Sequence, residues 1–455
     1  MKKTPNPSII QIENKITAFL NAFAVKNLLR RCNILKRHGV HPLQILTRIL
    51  QLPFTGESFY HDLIDGDIRG LKKDTIYAFL KNPSYNWRRF LLTLSASIIL
   101  NFFYPLTNSQ REKVFILDKS LYLRGRSKKT ELLSWIYDHI NDRSVKGFDM
   151  LTLGWSDGNS FSPLDFVLLA ATNPEKRLNG INDEIPKNSN GYKRRLEALK
   201  KATEIMMSMI TRALDAKIIA RYVLFDSWFA FPSVIQNVKN IQPGMDVICM
   251  LKDLPNIQYR YKGRSLRLEE LYHVLQKRRG RAIVKANVVV KLSTGLRVRV
   301  IFCQAKNKKG WVALLSTDLT LEGNEIIRIY GKRWDIEVFF KVIKSHLRLA
   351  KEIQTQNYDT LIAHTSLVFT RYLLIALQQR QAVDERSLDG IFRDCVEELK
   401  DLTLAEAINR LIAFVTERIR EKWSESEKLV DQLIQDLIEA AEILFLSPKI
   451  AMSES

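Results

Sequence analysis

KVFILD, residues 113–118, is a short apolar run closed by a carboxylate, and RYVLFD, residues 221–226, repeats the pattern later in the chain. Apolar runs of this length, bounded by polar residues, read as strands. Around them strand and helix signals alternate. Residues 148–155 and 161–171 read as two further strands, separated by Asp157-Gly158-Asn159, a hairpin-turn signal. A polar, loop-like segment covers 172–191, a long helix is expected over 193–217, and 246–251 gives a fifth strand. Three strands in meander order, a helix and two more strands is the element order of an RNase H-like core. Residues 253–320 read as a β-rich insertion, from the alternating runs 283–292 and 296–304 and the run 311–316. A helix over about 324–347 follows, and the chain reads as helical after 355.

Upstream of the core, residues 8–110 read as several helices. Residues 9–35 carry apolar side chains at helical spacing with basic residues between them, and a break at 39–42 precedes a second helix at about 43–52. The stretch 70–80, with Asp74 near its start and Pro83 beyond its end, suits the second helix of a helix-turn-helix. A small helical bundle with a solvated basic face fits it equally well. Residues 90–106 are the most apolar stretch, but they are short for a membrane span and are interrupted by Thr93, Ser95, Ser97 and Asn101, so they read as a buried helix. The fold class expected is therefore α/β: an RNase H-like mixed-sheet core in two parts (111–252 and 321–350) around a β-rich insertion (253–320), flanked by an N-terminal helical region (1–110) and a C-terminal helical region (351–455).

The charge is large and uneven. The 455 residues carry a formal net charge of +21, yet residues 381–455 hold 17 acidic and 9 basic side chains, a net of −8, which leaves +29 on the first 380. A body this basic attracts polyanions, nucleic acid before a membrane surface, while the acidic tail suits contact with protein. The four cysteines, Cys32, Cys249, Cys303 and Cys395, lack zinc-ligand or redox spacing, and no apolar run follows the charged N-terminus. A cytoplasmic protein with reduced thiols is the expectation. Basic clusters that suit a DNA path include Arg124, Arg126, Lys128 and Lys129; Lys193, Arg194 and Arg195; Lys277, Arg278, Arg279 and Arg281; and Lys306, Lys308 and Lys309. Each cluster taken alone is equally a solvated face.

Three carboxylates carry the candidate chemistry. Asp118 and Asp226 close the two apolar runs, and Glu337 lies on the later helix. Phosphodiester cleavage needs an activated oxygen nucleophile and a stabilised leaving oxygen, which two Mg²⁺ ions held by hard oxygen ligands supply. Around Glu337 the sequence YGKRWDIEVFFKVIK (330–344) places Tyr330, Arg333, Glu337 and Lys344 at offsets 0, 3, 7 and 14, one stripe of a helix. The stripe combines a phenol, a guanidinium, a carboxylate and an ammonium, a set suited to one metal and several phosphates. The plainer reading is an amphipathic helix with a solvated polar face.

This spacing resembles the tyrosine–arginine–glutamate–lysine signature of the insertion-sequence-4 group of DDE transposases. Asp118-Lys-Ser120, the segments 126–133 and 146–158, and LFDSWF (224–229) resemble the same group, over roughly residues 110–350. The resemblance implies a cut-and-paste DNA transposase whose Asp118, Asp226 and Glu337 hold Mg²⁺, with Mn²⁺ able to substitute. It implies that Tyr330, Arg333 and Lys344 contact the transposon end, with Arg126, Lys128 and Lys129 along the DNA path. It further implies that an aromatic of the insertion stacks on a flipped base, for which Trp311 is the candidate; a core tryptophan on a strand is the competing reading. The partners implied are terminal inverted repeats and target DNA, bound by a homodimer, with no membrane, in the nucleoid of a bacterium or archaeon. Where relatives often carry a second aspartate, this chain has Lys119, which is placed either to reach a phosphate or to weaken metal binding. A structure-specific nuclease on the same fold, and an inactive copy that binds DNA as a repressor, are the alternatives.

Overall fold

The computed structural model describes residues 7–53, 71–139, 141–278, 280, 282–304 and 310–380. All of them fall within one compact unit, residues 1–391. The expected helices of the acidic C-terminal region, Cys395, the basic residues Arg279, Arg281, Lys306, Lys308 and Lys309, and Gly70 with any helix just before it lie outside the described residues.

Eleven strands form one mixed sheet. They are β1 Val114–Leu123, β2 Ser134–Asp138, β3 Arg143–Ser156, β4 Phe161–Leu169, β5 Tyr222–Phe225, β6 Asp246–Leu251, β7 Tyr259–Tyr261, β8 Arg264–Leu266, β9 Val284–Lys291, β10 Arg297–Gln304 and β11 Trp311–Ser316. The centre runs β4-β3-β1-β5-β6: β1 pairs antiparallel with β3, β3 antiparallel with β4, and β5 parallel with both β1 and β6. This is the RNase H-like order. Val114–Leu117 and all nine residues of β4 are buried, so helices cover both faces of the sheet.

Twelve α-helices of seven residues or more surround the sheet among the described residues: α1 Pro7–Ala22, α2 Val25–Arg31, α3 Pro42–Gln51, α4 Lys73–Leu80, α5 Trp87–Ile98, α6 Asn190–Ala198, α7 Ala202–Asp215, α8 Pro232–Ile241, α9 Leu268–Val274, α10 Gly323–Gly331, α11 Trp334–Ser345 and α12 Tyr358–Gln379. The stretch 90–106 is helix as expected, but only partly buried: α5 continues through a π-helical turn to Leu106 and packs on β4 and on α12, while Leu100, Asn101, Phe102 and Pro105 are exposed. α4 turns Ile76, Phe79 and Leu80 inward and also packs on α12.

Three expectations need correcting. β1 does not stop at Asp118; it runs on to Leu123 because β3 continues alongside it as far as Gly147. The helix expected over 193–217 is two helices, α6 and α7. After α6 the N–H groups of Leu199 and Lys200 donate only three residues back, and Lys201 is extended. The helix expected over 324–347 is likewise divided at Lys332 and Arg333, although both keep right-handed helical angles, so the polar stripe survives. The β-rich region 253–320 extends the same sheet: β11 pairs antiparallel with the outer edge of β6, and β10, β9, β7 and β8 follow outward.

Candidate active site

The site begins where a strand ends. β5 matches β1 residue for residue from Val114↔Tyr222 to Leu117↔Phe225 and then stops. The next pair in that register is Asp118 and Asp226. Adjacent strands lie about 4.8 Å apart, so two carboxylates at one register position are near neighbours. From Asp118 onward β1 has lost its β5 neighbour, which leaves a gap in the sheet at the carboxylates.

α10 and α11 roof this gap, and polar contacts at β1 and β3 fix their position. Arg328 forks onto Glu112, just before β1, and Lys332 donates to the Glu112 carbonyl at 2.5 Å. At the end of β3 the Ser156 hydroxyl donates to Asp335 Oδ2 at 2.5 Å. The β3–β4 turn leaves room for this. Gly158 has φ +85°, open to glycine, and a Cβ there would come within 3.1 Å of Lys332 Cε. Asp157 Oδ1 closes the turn by accepting from the N–H groups of Asn159 and Ser160.

α11 thus holds Arg333 and Glu337 over Asp118. Arg333 Nη1 donates to Asp118 Oδ2 at 3.0 Å, and Nη2 donates to Glu337 Oε1 one helical turn away. Backbone N–H groups hold the other oxygens of the pair: Lys119 N donates to Asp118 Oδ1 at 2.7 Å and Trp228 N to Asp226 Oδ1 at 3.0 Å. No Lys or Arg among the described residues forms an ion pair with Asp226. Burial first, and then the charge of Asp118, push its carboxyl up to about 6, against weaker pulls from the Trp228 N–H, Arg333 and Lys119. Burial also lifts Asp118, although Arg333 and the Lys119 N–H oppose it. The two aspartates share too little positive charge, which is the condition a cation relieves.

The remaining stripe residues reach the same place. The Tyr330 hydroxyl is buried with no hydrogen-bond partner among the described residues, and burial raises its phenol. Its ring lies 5.8 Å from the Arg333 guanidinium carbon. Lys344 Nζ donates to Ser120 Oγ at 2.5 Å; burial brings the ammonium down to about 8, with Asp138 pulling it back up. Lys119 faces away, with Nζ 3.2 Å from Asp149 Oδ2. Among the described residues no three His, Cys, Asp or Glu side chains stand close enough to enclose a metal as they are placed here. Asp118 and Asp226 could serve as two ligands, and Glu337 is bonded to Arg333.

Arg126, Lys128 and Lys129 are exposed and line one wall of an open groove whose other wall is residues 350–356. Arg124 is spent on that wall, donating to the Ile353 carbonyl at 2.9 Å. Arg194 and Arg195 leave the DNA path altogether: both are buried, bonded to Asp359 and Glu131. Trp311 lies within 5.1 Å of the Tyr272 and Phe302 rings, packed inside the insertion. The positioning residues Glu112, Ser156 and Asp335 were not evident in the sequence: Glu112 sits in the polar run 109–113, Ser156 opens the turn signal 156–159, and Asp335 is a single acid between Trp334 and Ile336.

A model of the DDE superfamily endonuclease family matches residues 37–240, a span that includes Asp118 and Asp226 and ends before Glu337. Among solved structures, the piggyBac transposase synaptic complex with hairpin DNA, determined by cryo-EM, is similar at a TM-score of 0.40. The identity is 10%, over 97% of this chain and 87% of that one. No curated protein matches the sequence.

Proposed function

We propose that the chain is a DDE-type DNA transposase of the insertion-sequence-4 kind, which cuts at terminal inverted repeats and joins the freed 3′ ends to target DNA. The observation that carries this reading is the pair Asp118 and Asp226, at one register position where β5 stops, with Glu337 linked to Asp118 through Arg333. Bound Mg²⁺, or Mn²⁺ in its place, supplies the activated oxygen nucleophile and the stabilised leaving oxygen at such carboxylates. Asp118 and Asp226 would be two of its ligands and Glu337 the third, with Arg333, now bonded to Asp118 and Glu337, the side chain that would have to release them.

The chain's own residues then have separate tasks. Arg333 grips a phosphate with two donors, and the buried Tyr330 hydroxyl has a free proton to offer an oxygen of the DNA backbone. Lys344, already beside Ser120 of β1, adds a point charge. Arg126, Lys128 and Lys129 draw the flanking duplex into the groove. The N-terminal helices recognise the repeats, two protomers hold two ends, and the cut proceeds through a hairpin. Lys119 is compatible with activity because its ammonium is committed to Asp149, not to a metal position.

Purified protein, end DNA and Mg²⁺ are expected to give nicked and then hairpin ends, followed by strand transfer. Undiminished cleavage by Asp226→Ala would overturn the site. The endonuclease description of the matching family model favours a second reading, cleavage without joining. That reading predicts cuts independent of the repeat sequence and no joined product.

A further inference from the structure

A surface next to the carboxylates inverts the usual strand pattern. β2 buries Ser134, Ile136 and Asp138 and exposes Trp135 and Tyr137, 42% and 46% accessible; His139, just past the strand, is exposed as well. A half-buried strand ordinarily turns its large rings inward. The exposed rings also connect. Tyr137 and His139 centroids are 4.7 Å apart, and His139 lies 4.6 Å from the ring of Trp228, itself 50% exposed. Trp228 is the residue whose backbone N–H holds Asp226. The run of rings therefore ends at the candidate site.

Cations flank this run. Lys146 Nζ is 6.0 Å from the Trp135 ring, and Lys119 and Lys252 lie 6.0 and 5.6 Å from Trp228. Two carboxylates accompany them, Asp142 accepting from the Tyr137 hydroxyl and Asp149 paired with Lys119. Rings with an open face, bracketed by ammonium groups, suit a ligand that is flat and apolar in one part and anionic in another. An unpaired nucleic-acid strand has this composition, with bases that stack and phosphates that pair with lysine. An apolar protein segment would use the rings but not the lysines at both ends.

We infer that the Trp135–Tyr137–His139–Trp228 run is a track for an unpaired DNA strand leaving the carboxylate pair. This rests on the reading of the site as a DNA-cutting centre, because cutting and separating an end supplies such a strand. From Trp135 to His139 the backbone advances about 13 Å, room for about four nucleotides stacked at about 3.4 Å. Bases lie on the outward ring faces, and Lys146 and Lys252 meet the phosphates, while Lys119 stays with Asp149.

The test uses the full chain and fluorescence anisotropy with a labelled 20-nucleotide oligo-dT, beside a duplex of equal length. The double variant Trp135→Ala/Tyr137→Ala is expected to lose single-strand affinity about 5- to 150-fold per ring, with duplex affinity unchanged and the melting temperature retained. Tyr137→Phe is expected to bind as wild type, because stacking and not the hydroxyl is used. Equal oligo-dT affinity for wild type and the double variant would overturn the track, as would an equal loss on the duplex or a tenfold preference for oligo-rU. Cleavage of end DNA is measured separately in the same variants. Ring-dependent oligo-dT binding without any cleavage leaves the track standing and removes the transposase reading. Cleavage with ring-independent oligo-dT binding does the reverse.

Discussion

Two clusters of buried charge in this molecule use the same residue types and end differently. In the first, Arg195 forks onto Glu131 at 2.5 and 2.7 Å and reaches Asp359 at 2.7 Å, while Arg194 takes the other Asp359 oxygen, also at 2.7 Å. Two cations meet two anions. Burial works to raise the Glu131 carboxyl, yet Arg195 and the Asn182 N–H outweigh it and hold the group below its ordinary range. In the second cluster one guanidinium, Arg333, serves Asp118 and Glu337 and leaves Asp226 without an ion-pair partner among the described residues. There burial prevails and Asp226 rises to about 6. The first cluster is balanced and ties α6 to α12 and to the chain before β2. The second is short of positive charge at Asp226, the condition that a bound cation would relieve.

The contrast can be broken most sharply at its unbalanced end. Asp118→Ala and Asp226→Ala are each expected to lower end cleavage by at least about 1,000-fold, a loss of about 4 kcal/mol of transition-state stabilisation, in a single-turnover assay with Mg²⁺. A loss below tenfold would move the chemistry elsewhere. At the balanced end, Glu131→Gln leaves two buried guanidinium groups on one carboxylate and Asp359→Asn leaves Arg194 with none; each is expected to cost about 3–5 kcal/mol of stability, read from denaturant unfolding, with cleavage rates per folded molecule little changed.

Titration sharpens the contrast. An acid whose folded pKa lies above its unfolded value holds its proton longer when folded, so stability is present at low pH and is lost as pH rises through the folded value. For Asp226 that window runs from about 4 to about 6. Unfolding measured across it should show stability falling in the wild type and a flatter profile in Asp226→Asn, which should be the more stable of the two at neutral pH. Added Mg²⁺ is expected to raise the melting temperature of the wild type at pH 7.5 but not that of the variant. The same profile in both proteins would remove Asp226 as the source.

Smaller effects are expected at the margins. With Lys344 brought down to about 8, end-DNA affinity should weaken from pH 7 to pH 9 in the wild type and hold in Lys344→Arg, by filter binding at fixed salt. The Lys119–Asp149 pair is about a third exposed, so Lys119→Ala should change stability by less than about 1 kcal/mol and leave cleavage within a fewfold of wild type. A larger loss of cleavage would place Lys119 at the reacting phosphate.

The parts of this design legible in the sequence were those set by local pattern. The two apolar runs, the hairpin at Asp157–Asn159 and the polar stripe at 330–344 announced themselves through periodicity and turn chemistry. What stayed hidden depends on tertiary partners. Arg194 and Arg195 look like any surface basic pair until Glu131 and Asp359 arrive from distant segments. β2 was missed because its rings face outward, so its alternation is the inverse of the usual sign. The extension of β1 past Asp118 needed the length of β3. Register between β1 and β5, which turns two separate aspartates into a pair, is a property of the sheet and not of either strand.

The joining of β11 to β6 gives the region 253–320 a mechanical character. A force on its outer strands passes through continuous backbone hydrogen bonds to β6 and then β5, whose last residue precedes Asp226. The region is joined to the core along a strand edge, through the four register pairs from Ala313↔Leu251 to Ser316↔Ile248. Trimming it away would uncover the whole edge of β6, a bare ladder able to recruit a second chain and seed aggregation.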